Sequence, residues 1–348
     1  MDIATGWEQG GVVRVYLNPG PQKAKSPWPA VTVGEARSVE DAVFADLDGD
    51  GAMDVVSCCE GSTQAMYVHW SPKEKRRYLD PAAWKTEAIP TTVNRTRWMF
   101  ALPMQLDAQR GVDLVVGSKE PNATVGWLRS PESPRDLSAW TFQPLYRAGW
   151  IMSLQAHDMD GDGDEDVLVS DRKGANRGIL WLESPGSKAV AAGAAWKEHR
   201  VGGEDREVMF LTMADLDGDG RRDIVCAVRG RGISFLRATG DPKQPWRHYE
   251  IAMPEGCGTG KGVAVCDVDG NGKSDIIFTC EDAGGKSGCR WLSYRRSPMD
   301  AEWDDHEISG PVGAKYDRIE LLDLDGDGEL DVVTTEESES LGVIWYEN

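Results

Sequence analysis

The chain has 348 residues, with 38 basic against 58 acidic side chains and a net charge of −20. That balance excludes a nucleic-acid partner, because phosphate binding needs clustered Lys and Arg. No window approaches the roughly 18 consecutive apolar residues needed to cross a bilayer, so no membrane span is expected, and the N-terminus shows no basic-then-apolar leader.

In chain order, the first pattern is a short strand beginning at Asp2, then an aromatic strand ending in a polar turn, VYLNPG at Val15, then a Trp (Trp28) opening an alternating segment. An Asp-rich loop follows, DLDGDGAMD at Asp46–Asp54, and it runs into an apolar strand, the aromatic strand VHWSP at Val68 and Trp84. The next loop, LDAQRGVD ending at Asp113, reads as two residues short and stripped of most carboxylates; it leads to GWLRSP at Gly126 and Trp140. Intact loops return as DMDGDGDED at Asp158, DLDGDGRRD at Asp215, DVDGNGKSD at Asp267 and DLDGDGELD at Asp323. They alternate with LWLESPG at Leu180, SFLRATG at Ser234, RWLSY at Arg290 and VIWYEN at Val343, and with Trp196, Trp246 and Trp303 at steps of 50 to 57 residues.

Each unit therefore holds four short strands: A runs into the Asp loop, B leaves it, C carries the aromatic and D follows the Trp. Four antiparallel strands per repeat predict an all-β propeller. B and C occur seven times, A and D six times, so seven blades are expected, the first lacking its A strand and the last its D strand. The repeat units fall at 1–37, 38–95, 96–148, 149–205, 206–257, 258–314 and 315–348 of one propeller domain. An upstream segment supplying the missing strands, and any signal peptide with it, is expected to be absent from this sequence. Of the seven cysteines, most fall in strand patterns as buried thiols, and Cys280 and Cys289 bracket a Gly-rich hairpin across which they could pair.

Within an intact loop, carboxylates at positions 1, 3, 5 and 9 converge if the glycines allow a tight turn, a hard-oxygen set that suits calcium. The tandem motif DxDGDGxxD resembles the FG-GAP or VCBS repeat family, the calcium-binding propeller type of integrin alpha-subunits and many secreted bacterial proteins. The resemblance covers essentially the whole chain. It implies metal ligands at Asp46, Asp48, Asp50 and Asp54; Asp158, Asp160, Asp162 and Asp166; Asp215, Asp217, Asp219 and Asp223; Asp267, Asp269, Asn271 and Asp275; and Asp323, Asp325, Asp327 and Asp331. The loop at Asp107–Asp113 departs too far to bind. Evenly spread sites are expected to act as structural staples, and weak calcium sites point to an extracellular or periplasmic setting.

In propellers of this family strand A lines the channel, so the residues before each A strand ring the mouth opposite the Asp loops. That ring would hold Glu40, Asp41, Arg97, Trp98, Trp150, Glu207, Lys261, Tyr316, Asp317 and Arg318. Aromatic faces beside cations suit an acidic carbohydrate or polysaccharide; the alternative is a plug of ion pairs, with Trp98 and Trp150 packed between blades. The leading expectation is a secreted, monomeric carbohydrate-binding propeller. A sugar lyase, dehydratase or epimerase would use the same mouth, with Tyr316, His157 or Glu207 as base and Lys261 or Arg318 stabilising an enolate, an idea supported only by fold analogy to aldos-2-ulose dehydratase. A third reading is a protein-adhesion module that binds through loops.

Overall fold

Runs of β-branched and aromatic residues between Gly- and Pro-rich turns become strands of 4 to 8 residues. In the computed structural model, which describes residues 1–109, 111–230 and 232–348, they pair antiparallel into seven sheets. The chain divides into two compact units, Met1–His199 and Arg200–Asn348.

In the first unit, sheet 1 orders β1 (Ile3–Trp7), β2 (Val12–Tyr16) and β3 (Ala30–Glu35). Sheet 2 orders β4 (Val39–Ala45), β5 (Asp54–Cys59), β6 (Ala65–Trp70) and β7 (Lys85–Ala88). Sheet 3 orders β8 (Arg97–Met104), β9 (Asp113–Lys119), β10 (Thr124–Arg129) and β11 (Thr141–Arg147). Sheet 4 orders β12 (Ile151–His157), β13 (Asp166–Asp171), β14 (Gly178–Glu183) and β15 (Lys197–Gly202), and the division between units falls within β15. A short helix, α1 (Ser187–Ala191), precedes β15.

In the second unit, sheet 5 orders β16 (Val208–Ala214), β17 (Asp223–Val228), β18 (Gly232–Arg237) and β19 (Arg247–Ile251). Sheet 6 orders β20 (Thr259–Cys266), β21 (Asp275–Glu281), β22 (Cys289–Tyr294) and β23 (Trp303–Glu307), and sheet 7 orders β24 (Tyr316–Leu322), β25 (Asp331–Glu336) and β26 (Gly342–Tyr346). Each is an up-and-down meander in the order A to D. Sheet 1 lacks the A strand and sheet 7 the D strand, as the strand count predicted, and the fold is a seven-bladed β-propeller.

The B strands β5, β9, β13, β17 and β21 are buried at every residue. Successive side chains of a strand point to opposite faces, and in sheet 2 both faces are covered by neighbouring blades. Val56 and Cys58 join a core with Trp98, Leu114 and Val116 of sheet 3, whereas Val55 and Cys59 join one with Val13, Val15 and Val31 of sheet 1. Sheets 3 and 4 share a core in the same way, as do sheets 6 and 7 in the second unit. The first strands of successive sheets touch, β4 with β8, β8 with β12, β16 with β20 and β20 with β24, while in sheet 1 the B strand β1 meets β4 instead.

The recurring Trp has a local task as well as burial. The indole N–H of Trp28, Trp84, Trp140, Trp246 and Trp303 donates to a carbonyl of the preceding C–D connection, those of Ala24, Tyr78, Pro134, Pro242 and Asp300, at 2.8–3.2 Å. The D-strand histidines are structural too: His199 and His306 stack on the C-strand rings of Trp181 and Trp291, with centroids 4.2 and 3.8 Å apart, and His248 bonds Ser234 Oγ at 3.0 Å.

Candidate functional site

Positive φ at the two loop glycines, 71° at Gly49 and 90° at Gly51, folds Asp46–Asp54 so that its amides face its own carboxylates. Asp50 N–H and Gly51 N–H donate to the two oxygens of Asp46 at 3.1 Å each, and Ala52 N–H donates to Asp50 at 2.9 Å. The loop at Asp215 repeats this, Asp219 N–H and Gly220 N–H reaching Asp215 at 3.0 and 2.8 Å. So does the loop at Asp267, where Asn271 N–H and Gly272 N–H reach that carboxylate at 3.0 and 2.8 Å. Carboxylate oxygens then gather within 4.8 Å of one another in Asp46, Asp48 and Asp50; in Asp158, Asp160 and Asp166; in Asp215, Asp217 and Asp223; and in Asp267, Asp269 and Asp275.

The ninth-position Asp is a clamp. One oxygen of Asp54 accepts from Leu47 N–H at the loop start (3.3 Å), and the other accepts from Ser71 N–H just after the C strand (2.8 Å). The same pair of bonds recurs at Asp166 with Met159 and Ser184, at Asp223 with Leu216 and Ala238, and at Asp331 with Leu324 and Asn348, all at 2.8–3.3 Å. In sheet 1, Asp2 accepts from Asn18 N–H at 2.8 Å. Burial pushes the Asp54 carboxyl up to about 7 and those of Asp166, Asp223 and Asp275 up to about 6, against the pull of these amides.

The degenerate loop corrects the sequence reading. Asp113 accepts from Leu106 N–H at 3.2 Å and Ser130 N–H at 2.8 Å, the same clamp, with the same seven-residue separation from the loop start as in the intact loops. The loop therefore spans Gln105–Asp113 with nothing deleted; Gln105 and Gln109 stand at positions 1 and 5. Gln105 Nε2 donates to the carbonyls of Gln109, at 2.8 Å, and Gly111, and Arg129 Nε pairs with Asp107 at 2.7 Å.

The intact loops fit a hard divalent cation. Their donors are carboxylate oxygens, and Asp275 Oδ1 is buried without a hydrogen-bond partner beside the Asp267 and Asp269 carboxylates, an arrangement a cation would complete. Arginines supply part of the positive charge: Arg237 pairs with Asp217 and Asp219, and Arg135 Nε lies 2.5 Å from Asp48.

At the opposite ends of the first unit's strands, Glu40 lies at the start of β4 and pairs with Lys119 at 3.1 Å, and Lys119 also binds Glu60. Burial raises the Glu40 carboxyl to about 7, with Lys119 pulling the other way. Asp41 accepts from Ala101 N–H of β8 at 3.1 Å, joining two A strands. Arg97 is exposed, but Trp98 beside it is fully buried. Its N–H donates to Thr92 O at 3.0 Å and its ring meets Phe142 edge-on at 5.8 Å, so Trp98 packs between blades and offers no face to a ligand. Trp150, half-buried, has three cations around its ring: Lys119 Nζ at 4.6 Å, and Arg172 Cζ and Lys173 Nζ at 4.7 Å. A Cβ on Gly149 would lie 1.8 Å from Lys173 O; the absence of a side chain lets the two segments close here.

In the second unit, Lys261 is only 7% exposed, not the open cation its position suggested. It bonds Glu281 at 3.2 Å and lies 3.8 Å from Asp317. Arg229 pairs with Glu281 at 2.8 Å; burial pushes the Asp317 carboxyl up, Lys261 pulling the other way and neighbouring Glu337 adding to the rise, while Glu337 itself is lowered to about 2. Tyr316 is fully buried, its hydroxyl donating to Val312 O at 2.8 Å and meeting the Tyr346 hydroxyl at 3.1 Å. Arg318 is exposed and pairs with Glu320 at 2.7 Å; Glu207, half-buried, precedes β16. His157 ends β12 opposite Asp166, at the Asp-loop end, with Nε2 3.2 Å from Gln155 Oε1.

The expected rim was drawn from A-strand starts alone, so the last residues of the B strands were missed. Lys119, Asp171, Glu281 and Glu336 are all buried there. Asp171 accepts from Gly149 and Trp150 N–H at 2.9 and 2.7 Å, and Glu336 from Ala314 and Lys315 N–H at 3.1 Å each. A charge closing an otherwise apolar run, as in DVLVSD or DIIFTCE, was the available signal.

A profile of the FG-GAP-like repeat matches residues 1–57 and 215–278. Taken with the seven meander sheets and the loop recurring between their first two strands, this makes the chain an FG-GAP repeat propeller. No curated protein matches it. Among solved structures, the crystal structure of BBS1N in complex with ARL6DN, soaked with mercury, is similar over 99% of this chain and 90% of that one, at 10% identity and a TM-score of 0.49.

Proposed function

We propose that this protein is an extracytoplasmic binding propeller in which the five intact Asp loops hold calcium as structural staples, and the strand ends opposite those loops recognise an acidic carbohydrate. One observation carries the binding half: the Trp150 ring sits among Lys119, Arg172 and Lys173. An indole beside a cation suits a sugar that carries carboxylate or sulfate, the ring giving apolar contact and half-buried Lys173 pairing with the anion. Binding is favoured over catalysis because Tyr316 and Lys261, two of the candidate catalytic groups, are buried in contacts of their own, and His157 lies at the Asp-loop end of its strand.

The test is a glycan array of neutral, uronate-bearing and sulfated polysaccharides, read with calcium present and paired with an assay for unsaturated sugar products. Binding confined to acidic glycans is expected, lost in Lys173→Ala at unchanged melting temperature, with no unsaturated product. Binding to neutral glycans that Lys173→Ala leaves intact would sink the charge argument. Release of unsaturated product would move the protein to the lyases.

A further inference from the structure

Sheet 6 brings together two cysteines that the sequence does not pair. The Gly-rich hairpin folds back so that residues 287 and 288 lie between two segments: Ser287 N–H donates to Gly256 O at 3.0 Å and Gly258 N–H to Ser287 O at 3.3 Å, while Cys280 N–H donates to Gly288 O at 2.8 Å. Cys257 bridges Ser287 in parallel register. A Cβ on Gly258 would lie 2.9 Å from Cys280 Cβ, so the backbone next to Cys257 rests directly on Cys280. Cys257 Sγ donates to Pro254 O at 3.0 Å, which fixes its side chain in this segment.

The expected partner, Cys289, is excluded by register. Thr279 pairs with Cys289 across β21 and β22, and directly opposed residues share a face while neighbours along a strand alternate. Cys289 thus shares a face with Thr279, and Cys280 points to the other. Cys289 is fully buried in the core with Ile277 and Val332.

We propose that Cys257 and Cys280 are a dithiol–disulfide pair that exchanges with small disulfides, Cys257 attacking and Cys280 resolving. Cys257 is the sulfur closer to solvent, 8% exposed beside exposed Glu255 and Gly256, whereas Cys280 is fully buried. The neighbouring Cys280 thiol and then the Arg290 guanidinium favour the Cys257 thiolate and hold its pKa below the ordinary cysteine value, while Cys257 pushes that of Cys280 up. The Cys257 thiolate attacks one sulfur of the incoming disulfide and expels one thiolate. Cys280 then gives up its proton and attacks the Cys257 sulfur of the mixed disulfide, expelling the second. Two protein thiols are oxidised, and one disulfide is reduced to two thiols. The new bond closes the chain from 257 to 280 around β20, the Asp267–Asp275 loop and nearly all of β21.

The test uses the full chain with oxidised glutathione as probe. Intact mass should fall by two hydrogens, peptide mapping should join Cys257 to Cys280, and the melting temperature should rise by about 5 °C, reversed by reductant. Cys289→Ser should behave as wild type. Cys280→Ser should stop at a glutathione adduct on Cys257, an adduct a purely buried thiol would not form. Should Cys280→Ser fail to fold, selective alkylation of Cys257 in the native wild type by iodoacetamide, with Cys58, Cys226 and Cys289 spared, reads the same reactivity. A crosslink to Cys289, or no crosslink in folded protein that oxidises once denatured, would overturn the proposal.

Discussion

The loops at Gln105–Asp113 and Asp215–Asp223 have the same length and closing hydrogen bonds, and each meets an arginine from the same C-strand position, Arg129 or Arg237. They differ in charge. The second offers carboxylates at positions 1, 3, 5 and 9, the first only at 3 and 9. Arg129 balances half of the smaller set, whereas Arg237 and Arg221 together still leave the larger set the more negative of the two. Two jobs that look fused in the motif are therefore separable: the ninth Asp belongs to the fold, and the first and fifth belong to the cation. The Asp113 clamp persists where no cation is expected.

The largest effect that follows is on the intact loops together. A ligand that binds only the folded state at 100 times its Kd stabilises by roughly 2.7 kcal/mol per site, so with five intact loops a chelator should lower the melting temperature strongly. Asp217→Ala should remove one loop's share of that loss and one bound calcium. Identical melting curves with calcium and with chelator, after verified metal removal, would erase the distinction between the two kinds of loop.

A smaller effect isolates the clamp. Burial raises the Asp113 carboxyl from 3.8 to about 6, its two backbone donors opposing. A folded-state value above the unfolded one means that the folded protein holds the proton more tightly. The stability this supplies is complete below about 3.8 and is lost as pH rises through about 6, a change of about 3 kcal/mol at 1.36 kcal/mol per unit. Asp113→Asn keeps an acceptor for Ser130 but turns an amide donor toward Leu106 N–H, at a cost of about 1–3 kcal/mol. The variant should therefore be penalised more near pH 4 than near pH 7 in urea unfolding, and equally with calcium or chelator. The matching change at Asp223 should cost more when calcium is present. A calcium-dependent penalty at Asp113 would show that its loop binds a cation after all.

How much of this was legible follows from what repeats. Sheet order, both incomplete blades, the D-strand Trp and the loop glycines recur in register, so the sequence carries each several times over. The length of the Gln105 loop was misread because aligning on carboxylates hides Gln105 and Gln109; only the Leu106–Asp113 hydrogen bond restores the register. The rim resisted for the opposite reason. Each blade ends differently there, and whether Lys261 meets solvent or Glu281 is decided by a partner 20 residues away on the next strand. Trp98 and Trp150 occupy similar places at A-strand starts, yet only the neighbours, Phe142 and Thr92 for one and Lys119 with Arg172 and Lys173 for the other, separate a core residue from a surface one.

The smallest effect is a gain. Gln105→Asp combined with Gln109→Asp would give the degenerate loop the full carboxylate set on a backbone that already carries the clamp and a positive φ of 92° at Gly111. In chelator the double variant should be less stable than wild type, because two added carboxylates repel Asp107 and Asp113 and the Gln105 amide no longer ties the Gln109 and Gly111 carbonyls. In calcium it should recover and bind one more ion than wild type by equilibrium dialysis. The recovery should be modest, about 1.4 kcal/mol at roughly ten times Kd, since the cation must displace Arg129 from Asp107. Adding Arg129→Met should tighten that extra ion by removing the competing guanidinium. A folded double variant that binds no more calcium than wild type would mean that positions 1 and 5 do not decide cation binding, and that the difference between the two loops lies in the backbone they share least.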